Sequence, residues 1–238
     1  NVFYENSAVT GGGGIYSTIN NNSGNNGNIN LTNNLLYDNS SGKGGGICAI
    51  VYGDTIQNKN NLNLTNNTLS GNVSNSNEGS GVYVNTTGIT NLNNCIVYGN
   101  AGTDVFHDNA SPGLLNIQFS LVGTFENTSG IDDSQNHNIV GEDPLFISDD
   151  NFHLIPESPC INSGNPVFFN AGNNPDLSGI NTDIEGNARI ANSKIDMGAY
   201  QNTFIPYISL TGITVDGIDA SLNNENDTLY EITIAYTG

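Results

Sequence analysis

The chain has 238 residues, of which 11% are charged, and its 23 acidic and 4 basic residues give a formal net charge of −19. Four lysines and arginines cannot neutralise many phosphates. The composition therefore excludes nucleic acid as an expected partner and argues against binding to anionic membranes. No apolar run reaches the roughly 18–20 residues that a transmembrane helix needs, and no direct membrane insertion is expected.

An asparagine motif recurs along the first half of the chain. The segments "FYENSAV", "LYDNSSG", "LSGNVSN" and "VYGNAGT" align on Asn6, Asn39, Asn72 and Asn100. These asparagines are 33, 33 and 28 residues apart. The preceding runs "NLTNNLLYDN", "NLTNNTLSGN" and "NLNNCIVYGN" also match. A period of about 20–50 residues is typical of a solenoid, a propeller or another array.

The composition of the repeats favours a solenoid built of strands. The repeats are poor in Lys and Glu, and their many asparagines and glycines disfavour helices. Each repeat offers two or three short apolar runs, whereas a propeller blade needs about four strands. We therefore predict an all-β fold, a right-handed parallel β-helix over residues 1–203. Its corners are predicted at Asn6, Asn39, Asn72 and Asn100, because asparagine tolerates left-handed backbone and identical side chains can bond in ladders.

A glycine run precedes a short apolar stretch three times, in "TGGGGIYST" (10–18), "KGGGICA" (43–49) and "NEGSGVYV" (77–84). The pattern predicts a corner or bulge where the backbone turns with no Cβ in the way, followed by a strand. Tyrosines recur with the repeats, and they fit either a stacked packing ladder or a glycan-binding groove. These are Tyr16, Tyr37, Tyr52, Tyr83 and Tyr98.

Three scattered cysteines, Cys48, Cys95 and Cys160, form no CxxC motif, which gives little support to a metal or redox site. Buried thiols are the expected state, and one disulfide with one remaining thiol is the alternative.

Candidates for catalysis are few. A polysaccharide lyase needs a base, and the repeats offer only Lys43 and Lys59. A glycoside hydrolase needs two carboxylates about 5–10 Å apart. The adjacent acidic pairs, at 132–133, 142–143 and 149–150, lie in turn-like stretches where solvated carboxylates are the ordinary case. No catalytic residue is assigned.

Calcium is the one cofactor that the sequence allows. Hard cations bind clustered carboxylate, amide and carbonyl oxygens. The segments "IDDSQN" and "SDDN" place such groups at Asp132, Asp133, Asp149 and Asp150. No complete calcium-loop motif is present, and no other cofactor is expected.

Residues 143–201 interrupt the repeats and carry Pro144, Pro156, Pro159 and Pro166, which suit strand ends because proline cannot donate to a ladder. A solenoid exposes its core at the last turn and needs a cap. We predict this cap at about 143–201. The single arginine, Arg189, is expected to pin it, with Asp183, Glu185 and Asp196 as candidate partners.

The tail 204–238 alternates apolar and polar residues in "ISLTGITVDG" and "TLYEITIAY", which predicts antiparallel strands. It resembles the start of an immunoglobulin-like or cadherin-like β-sandwich. About three of the expected seven strands fit in this length. The sandwich is therefore expected to be incomplete at residue 238, within a larger polypeptide.

The glycine-rich repeats and the closing segment "DPLF…SPCINSGNP…IDMGAYQ" together resemble secreted bacterial right-handed β-helix proteins, frequent in Bacteroidota. Gln201 stands where that family usually has glutamate. The resemblance implies a secreted or cell-surface location and defines no catalytic residue. We expect an extracellular structural or adhesive module with an unknown surface glycan or protein partner. The alternatives are a polysaccharide-active or carbohydrate-binding β-helix, and a passive spacer in a secreted protein.

Overall fold

A computed structural model describes residues 1–21, 27–53, 60–108, 110, 113–128, 131, 134–173, 175–202, 214–215 and 218–219. In these residues the chain forms β-strands and two short 3₁₀ helices, Ser134–Asn136 and Pro166–Phe169, and no α-helix. The predicted all-β class is therefore confirmed. The described part of the chain holds no helix of the length and apolarity that a membrane span requires.

Three parallel sheets build the first part of the chain, and each of its first four turns adds one strand to each sheet. Sheet I contains Val2–Tyr4, Leu35–Tyr37, Thr68–Ser70, Ile96–Val97, Leu121–Val122 and Ile139–Val140. Sheet II contains Ile15–Asn21, Ile47–Gly53, Val82–Thr86, Val105–His107 and Phe125–Glu126. Sheet III contains Asn28–Thr32, Asn61–Thr65, Ile89–Asn93 and Leu114–Gln118. This arrangement is a parallel β-solenoid.

Alternation along each strand builds the core. In sheet II, Ile47 pairs with Val82 and Val82 with Val105, and all three side chains are completely buried. Sheet III contributes Leu62, Leu64 and Leu92 to the same cluster, and sheet I contributes Leu36, Leu69, Val97 and Val122. Because parallel strands keep equivalent residues in register, each inward position becomes a column of branched apolar side chains.

Shorter strands complete the described structure. Ser40–Ser41 pairs with Val73–Ser74 in parallel, at the turn between sheets I and II. Phe146–Ser148 and Asn151–Leu154 form an antiparallel pair. The chain divides into two units, Asn1–Thr203 and Phe204–Gly238. In the second unit only the antiparallel strands Thr214–Val215 and Ile218–Asp219 are described, and the predicted β-sandwich otherwise lies outside the described residues.

The glycine runs form the corners before the strands of sheet II, as predicted. Gly12, Gly44 and Gly79 occupy equivalent positions with φ angles of 59°, 60° and 57°, a left-handed conformation that glycine adopts without steric cost. Gly45 follows at a close approach between turns. A Cβ atom there would lie 2.5 Å from the Val73 carbonyl oxygen and 2.6 Å from that of Ser80.

We expect Gly45→Ala to lower the free energy of unfolding by about 3 kcal/mol, because the added methyl group would force two backbone turns apart. Gly179→Ala is the matched control, since a Cβ at that position meets no atom within 4 Å. Chemical denaturation followed by circular dichroism measures both variants. Equal stability of the two would contradict the close-packed corner.

The closing segment lies along the side of the solenoid. Leu154, Cys160 and Met197 pack in one cluster with Ile96 and Leu121, which are the outward-facing neighbours of inward Val97 and Val122 in sheet I. A cap on the last turn was predicted for this segment, and the contacts described here lie on the outer face of sheet I. The outer face of sheet I carries apolar side chains there, and their burial under the closing segment is favourable, as burial of an exposed solenoid core would be.

Left-handed asparagines hold this segment in place. Asn33, Asn66 and Asn94 are equivalent residues of successive turns, with φ angles of 53°, 52° and 53°. Their side-chain amides donate to carbonyl oxygens of the closing segment: Asn33 to Thr182 (2.8 Å), Asn66 to Asp196 (2.8 Å) and Asn94 to Asn165 (3.1 Å). One side-chain position, repeated in three turns, therefore docks a segment that has no repeat of its own.

Candidate functional site

The four aligned asparagines form one hydrogen-bonded stack, the first ladder. Each Nδ2 donates to the Oδ1 of the next residue: Asn6 to Asn39 (2.9 Å), Asn39 to Asn72 (2.9 Å) and Asn72 to Asn100 (2.8 Å). The backbone N–H groups of Asn39 and Asn72 donate to the same oxygens. The ladder satisfies buried backbone groups at the turn between sheets I and II. The left-handed backbone expected of these asparagines falls instead on the residue before each of them: Glu5, Asp38, Gly71 and Gly99.

Asp104 ends the first ladder, a role that the sequence analysis missed. Its Oδ1 accepts from the backbone N–H (3.0 Å) and the Nδ2 (2.7 Å) of Asn100, and its Oδ2 accepts from the N–H of Thr124 (2.8 Å). Burial raises the pKa of Asp104, and these hydrogen bonds oppose that rise. An acceptor-only side chain suits this position, because every neighbouring polar group is a donor.

A second ladder runs through the turn between sheets III and I. Asn34 donates its Nδ2 to Asn67 Oδ1 at 2.9 Å, and the Nδ2 of Asn67 donates to the Leu31 carbonyl. In the next turn Cys95 takes this position, and its Sγ lies 3.4 Å from the Leu64 carbonyl. A thiol is a weak donor, so Cys95 keeps the geometry of an asparagine ladder with a smaller, less polar group.

All three cysteines are free and buried, as the sequence predicted. Burial raises the pKa of Cys48 and of Cys95 to about 11, and that of Cys160 to about 12. We expect no alkylation of the native protein at pH 8, where roughly a thousandth of each thiol or less is ionised. Without reductant, mass spectrometry should count three modified thiols after denaturation. A count of one would indicate a disulfide.

The outer face of sheet II carries a charged cluster, the Lys43 cluster, formed by Lys43, Glu78, Tyr83, Asn85 and Asp108. Lys43 Nζ lies 2.7 Å from Glu78 Oε2 and 4.8 Å from the centre of the Tyr83 ring. The Tyr83 hydroxyl donates to Asp108 Oδ2 at 2.6 Å, and Asn85 Nδ2 donates to the same oxygen at 3.0 Å. The turn of the chain brings these residues together from three separate segments.

The electrostatics of the Lys43 cluster stabilise each group in its ordinary ionisation state. The hydrogen bond to Glu78 raises the pKa of Lys43. Burial and the hydrogen bond to Asp108 raise the pKa of Tyr83, and the bond from Tyr83 lowers the pKa of Asp108. A general acid or base works best with a pKa near the operating pH. All three shifts move the pKa further from pH 7. Lys43 and Asp108 therefore stay charged and Tyr83 stays neutral, so the arrangement does not favour proton transfer.

Two of the recurring tyrosines, Tyr37 and Tyr83, take part in ring stacking, and the partly buried Tyr98 packs against the cluster that contains Met197. Tyr4 and Tyr37 stack with ring centres 5.2 Å apart, and Tyr83 and Phe106 stack at 5.7 Å. These pairs form the packing ladders that were one of the two expectations. Tyr16 and Tyr52 are 54% and 40% exposed on sheet II. Lys59, the other lysine considered, lies outside the described residues.

Arg189 is completely buried in the closing segment. Its guanidinium donates to three carbonyl oxygens, those of Asp196 (2.9 Å), Gly198 (2.6 Å) and Ala199 (3.2 Å). Burial lowers its pKa to about 10, and nearby Asp183 and Asp196 oppose that shift. The guanidinium therefore stays protonated at neutral pH and joins the backbone of the closing turn.

The carboxylates expected beside Arg189 bind other groups. Asp183 accepts the backbone N–H groups of Glu185 and Asn187. Asp196 accepts those of Asn162 (2.7 Å) and Asn202 (2.6 Å), and Glu185 pairs with His153 at 2.9 Å. Direct carboxylate pairing with Arg189 was the expectation. Instead, the two aspartates satisfy backbone donors of the closing segment, because unpaired buried N–H groups are costly.

Of the four predicted calcium ligands, only Asp149 and Asp150 are among the described residues. Asp149 and Asp150 lie in the turn of the antiparallel pair, where Asp150 accepts from Ser148 Oγ. Asp132 and Asp133 lie outside the described residues. No group of three or more His, Cys, Asp or Glu side chains in the described part could hold a metal ion.

Comparison of the chain with protein-family models, with curated proteins and with solved structures gave no match. The assignment of function therefore depends on the residues and the geometry described above.

Proposed function

We propose that the chain is a non-catalytic structural or adhesive module of an extracellular, cell-surface protein. The ladders support this proposal most directly. The first ladder links four successive turns of the solenoid and ends on Asp104. Each rung satisfies buried polar groups of its neighbours, which resists sliding or separation of the turns. A rigid, acidic surface poor in lysine suits exposure outside the cell and association with uncharged partners.

The closing motif and the glycine-rich repeats support a finer assignment. Both resemble secreted right-handed β-helix proteins of Bacteroidota, so we propose that this chain is such a protein and belongs to a larger surface polypeptide. The proposed partner is a surface glycan or a surface protein. We propose no resident cofactor for this function, and calcium at Asp132, Asp133, Asp149 and Asp150 stays a prediction.

A polysaccharide-active enzyme is the second candidate, because the Lys43 cluster combines a lysine, a tyrosine and two carboxylates on one open face. The direction of its pKa shifts argues against it. A lyase base at Lys43 would need a lowered pKa, and the bond to Glu78 raises it. An acid at Asp108 would need a raised pKa, and the bond from Tyr83 lowers it.

Incubation with neutral and acidic polysaccharides, with and without Ca²⁺, distinguishes the two candidates. We expect mass spectrometry to detect no released oligosaccharide, and we expect Asp108→Asn and Lys43→Met to leave that result unchanged. Release that disappears in Asp108→Asn and persists in Lys194→Met, a change at an exposed lysine of the closing segment, would establish the enzyme instead.

A further inference from the structure

A third asparagine ladder lies on the outer surface of sheet III. Asn63 donates its Nδ2 to Asn30 Oδ1 at 2.9 Å, Asn91 donates to Asn63 at 2.8 Å, and Asn116 donates to Asn91 at 2.9 Å. An amide has two N–H donors and an oxygen with two lone pairs. Asn63, Asn91 and Asn116 each use one donor in the ladder. Asn63 is buried, whereas Asn91 is half-buried and Asn116 is exposed, so these two keep hydrogen-bonding capacity toward the outer side.

The closing segment turns part of this surface into a groove, the amide groove, with a volume of about 270 Å³. Its floor consists of uncharged polar side chains of sheet III: Asn63, Thr65, Asn91, Asn93 and Gln118. Its opposite wall contains Phe168, Pro175 and Leu177, with Asn173 beside them. No charged side chain is among the described residues that line it.

This pairing of surfaces matches the chemistry of a sugar chain. Pyranose rings present hydroxyl groups around their edge and apolar C–H groups on their faces. Asn91 and Gln118, the half-buried amides of the floor, can bond the hydroxyls, while the half-buried Phe168 ring offers an apolar surface to a ring face. These two amides lie on adjacent strands, whose spacing of about 4.8 Å is close to the length of one pyranose residue. The two side chains can therefore contact consecutive sugars along a chain.

We propose that the amide groove binds a linear, uncharged polysaccharide that runs along the solenoid. This inference deepens the proposed adhesive function and depends on it for the class of partner. The uncharged lining and the net charge of −19 favour neutral chains over acidic ones, because acidic chains would be repelled at long range. Binding should then depend little on ionic strength.

Phe168→Trp tests the groove directly, because the chain contains no tryptophan and the new side chain would be its only indole. Titration with soluble neutral β-glucans, glucomannan and xyloglucan should shift its fluorescence, and polygalacturonate and alginate should not. Val167→Trp is the matched reporter, since Val167 is 53% exposed beside Phe168 and does not line the groove. It should show no shift.

Affinity electrophoresis in gels that contain the same polysaccharides tests the floor and the wall separately. We expect each of the changes Asn91→Asp and Phe168→Ala to weaken retention at least about tenfold. The first replaces an amide donor of the floor by a carboxylate, and the second removes the ring contact. Asn61→Asp and Val167→Ala are the controls. Asn61 makes the same kind of amide bond, to Asn28 at 3.0 Å, outside the groove. Circular dichroism confirms that each variant is folded.

The possible outcomes distinguish failure of the amide groove from failure of the proposed adhesive function. Loss of retention in the groove variants, with retention in the controls, supports the proposal. Equal retention of all variants, or no neutral polysaccharide retained by the unmodified protein, overturns the amide groove and leaves adhesion to a protein partner intact. Release of oligosaccharides overturns the non-catalytic function, while the groove is still judged by the same variants.

Discussion

Replacing Asn72 by alanine is expected to lower the free energy of unfolding by about 4 kcal/mol, the largest effect of any ladder position. Asn72 is completely buried. Its Oδ1 accepts both the backbone N–H and the Nδ2 of Asn39, and its Nδ2 donates to Asn100 Oδ1 and the Leu36 carbonyl. Alanine would remove the side-chain acceptor of the buried Asn39 backbone N–H and the donor to the Leu36 carbonyl, while Asn100 Oδ1 would keep the backbone N–H of residue 72. Denaturant titration followed by far-UV circular dichroism measures the loss.

Asn6→Ala is the matched control, because Asn6 lies at the exposed end of the same ladder and donates only toward Asn39. Water can replace an exposed donor, so we expect a loss of about 1 kcal/mol or less. Asn72→Asp adds a second test, since it keeps the shape and converts the donor atom into an acceptor that faces carbonyl oxygens. If Asn72→Ala were no more harmful than Asn6→Ala, the ladder would not be a main source of stability.

Arg189→Met is the second change with a large expected effect, a loss of about 4 kcal/mol. Methionine fills a similar volume and removes the donors to the three carbonyl oxygens of the closing turn. It also removes the positive charge near buried Asp183 and Asp196. Two of those carbonyls also accept from Asn66 of the solenoid, so the loss should loosen the attachment of the closing segment.

Limited proteolysis with mass spectrometry locates this effect. We expect Arg189→Met to become cleaved within 143–202 at protease concentrations that leave the unmodified protein intact, while the strands of sheets I to III stay protected. Lys194→Met is the control, because Lys194 is an exposed cation of the same segment. Cleavage that began in the sheets instead would contradict a role for Arg189 in holding the closing segment.

Repetition explains which contacts could be predicted from the sequence. The first ladder joins Asn6, Asn39, Asn72 and Asn100, the same residues on which the repeats align, because stacked parallel turns bring equivalent residues into contact. The glycine corners could be predicted for the same reason, since the equivalent residues Gly12, Gly44 and Gly79 share one backbone conformation. The third ladder could have been found from the "NLTNN" runs, whose first asparagine lies on the outer side of sheet III.

Contacts that occur in only one turn leave no repeated pattern in the sequence. The acceptors of the Arg189 guanidinium are carbonyl oxygens, which every residue carries, so no side-chain pattern could indicate them. Asp104 and Cys95 occupy ladder positions with residue types that differ from asparagine, and an alignment on asparagine passes over them. Lys43 and Glu78 directly precede the equivalent Gly44 and Gly79, so the repeat could have predicted their ion pair. Asp108 follows a strand of sheet II and meets Tyr83 only after the turns have stacked.

The sequence by itself determined an all-β solenoid, its period, its stacked asparagines, its glycine corners and its buried cysteines, because each depends on local backbone preference, on periodic burial or on the stacking of equivalent residues. Only the tertiary structure decided that the closing segment lies along sheet I, that Arg189 binds carbonyl oxygens and that an amide groove forms beside sheet III. Each of these contacts joins segments far apart in the chain. Their free energy comes from the burial and pairing of groups whose proximity is created by folding.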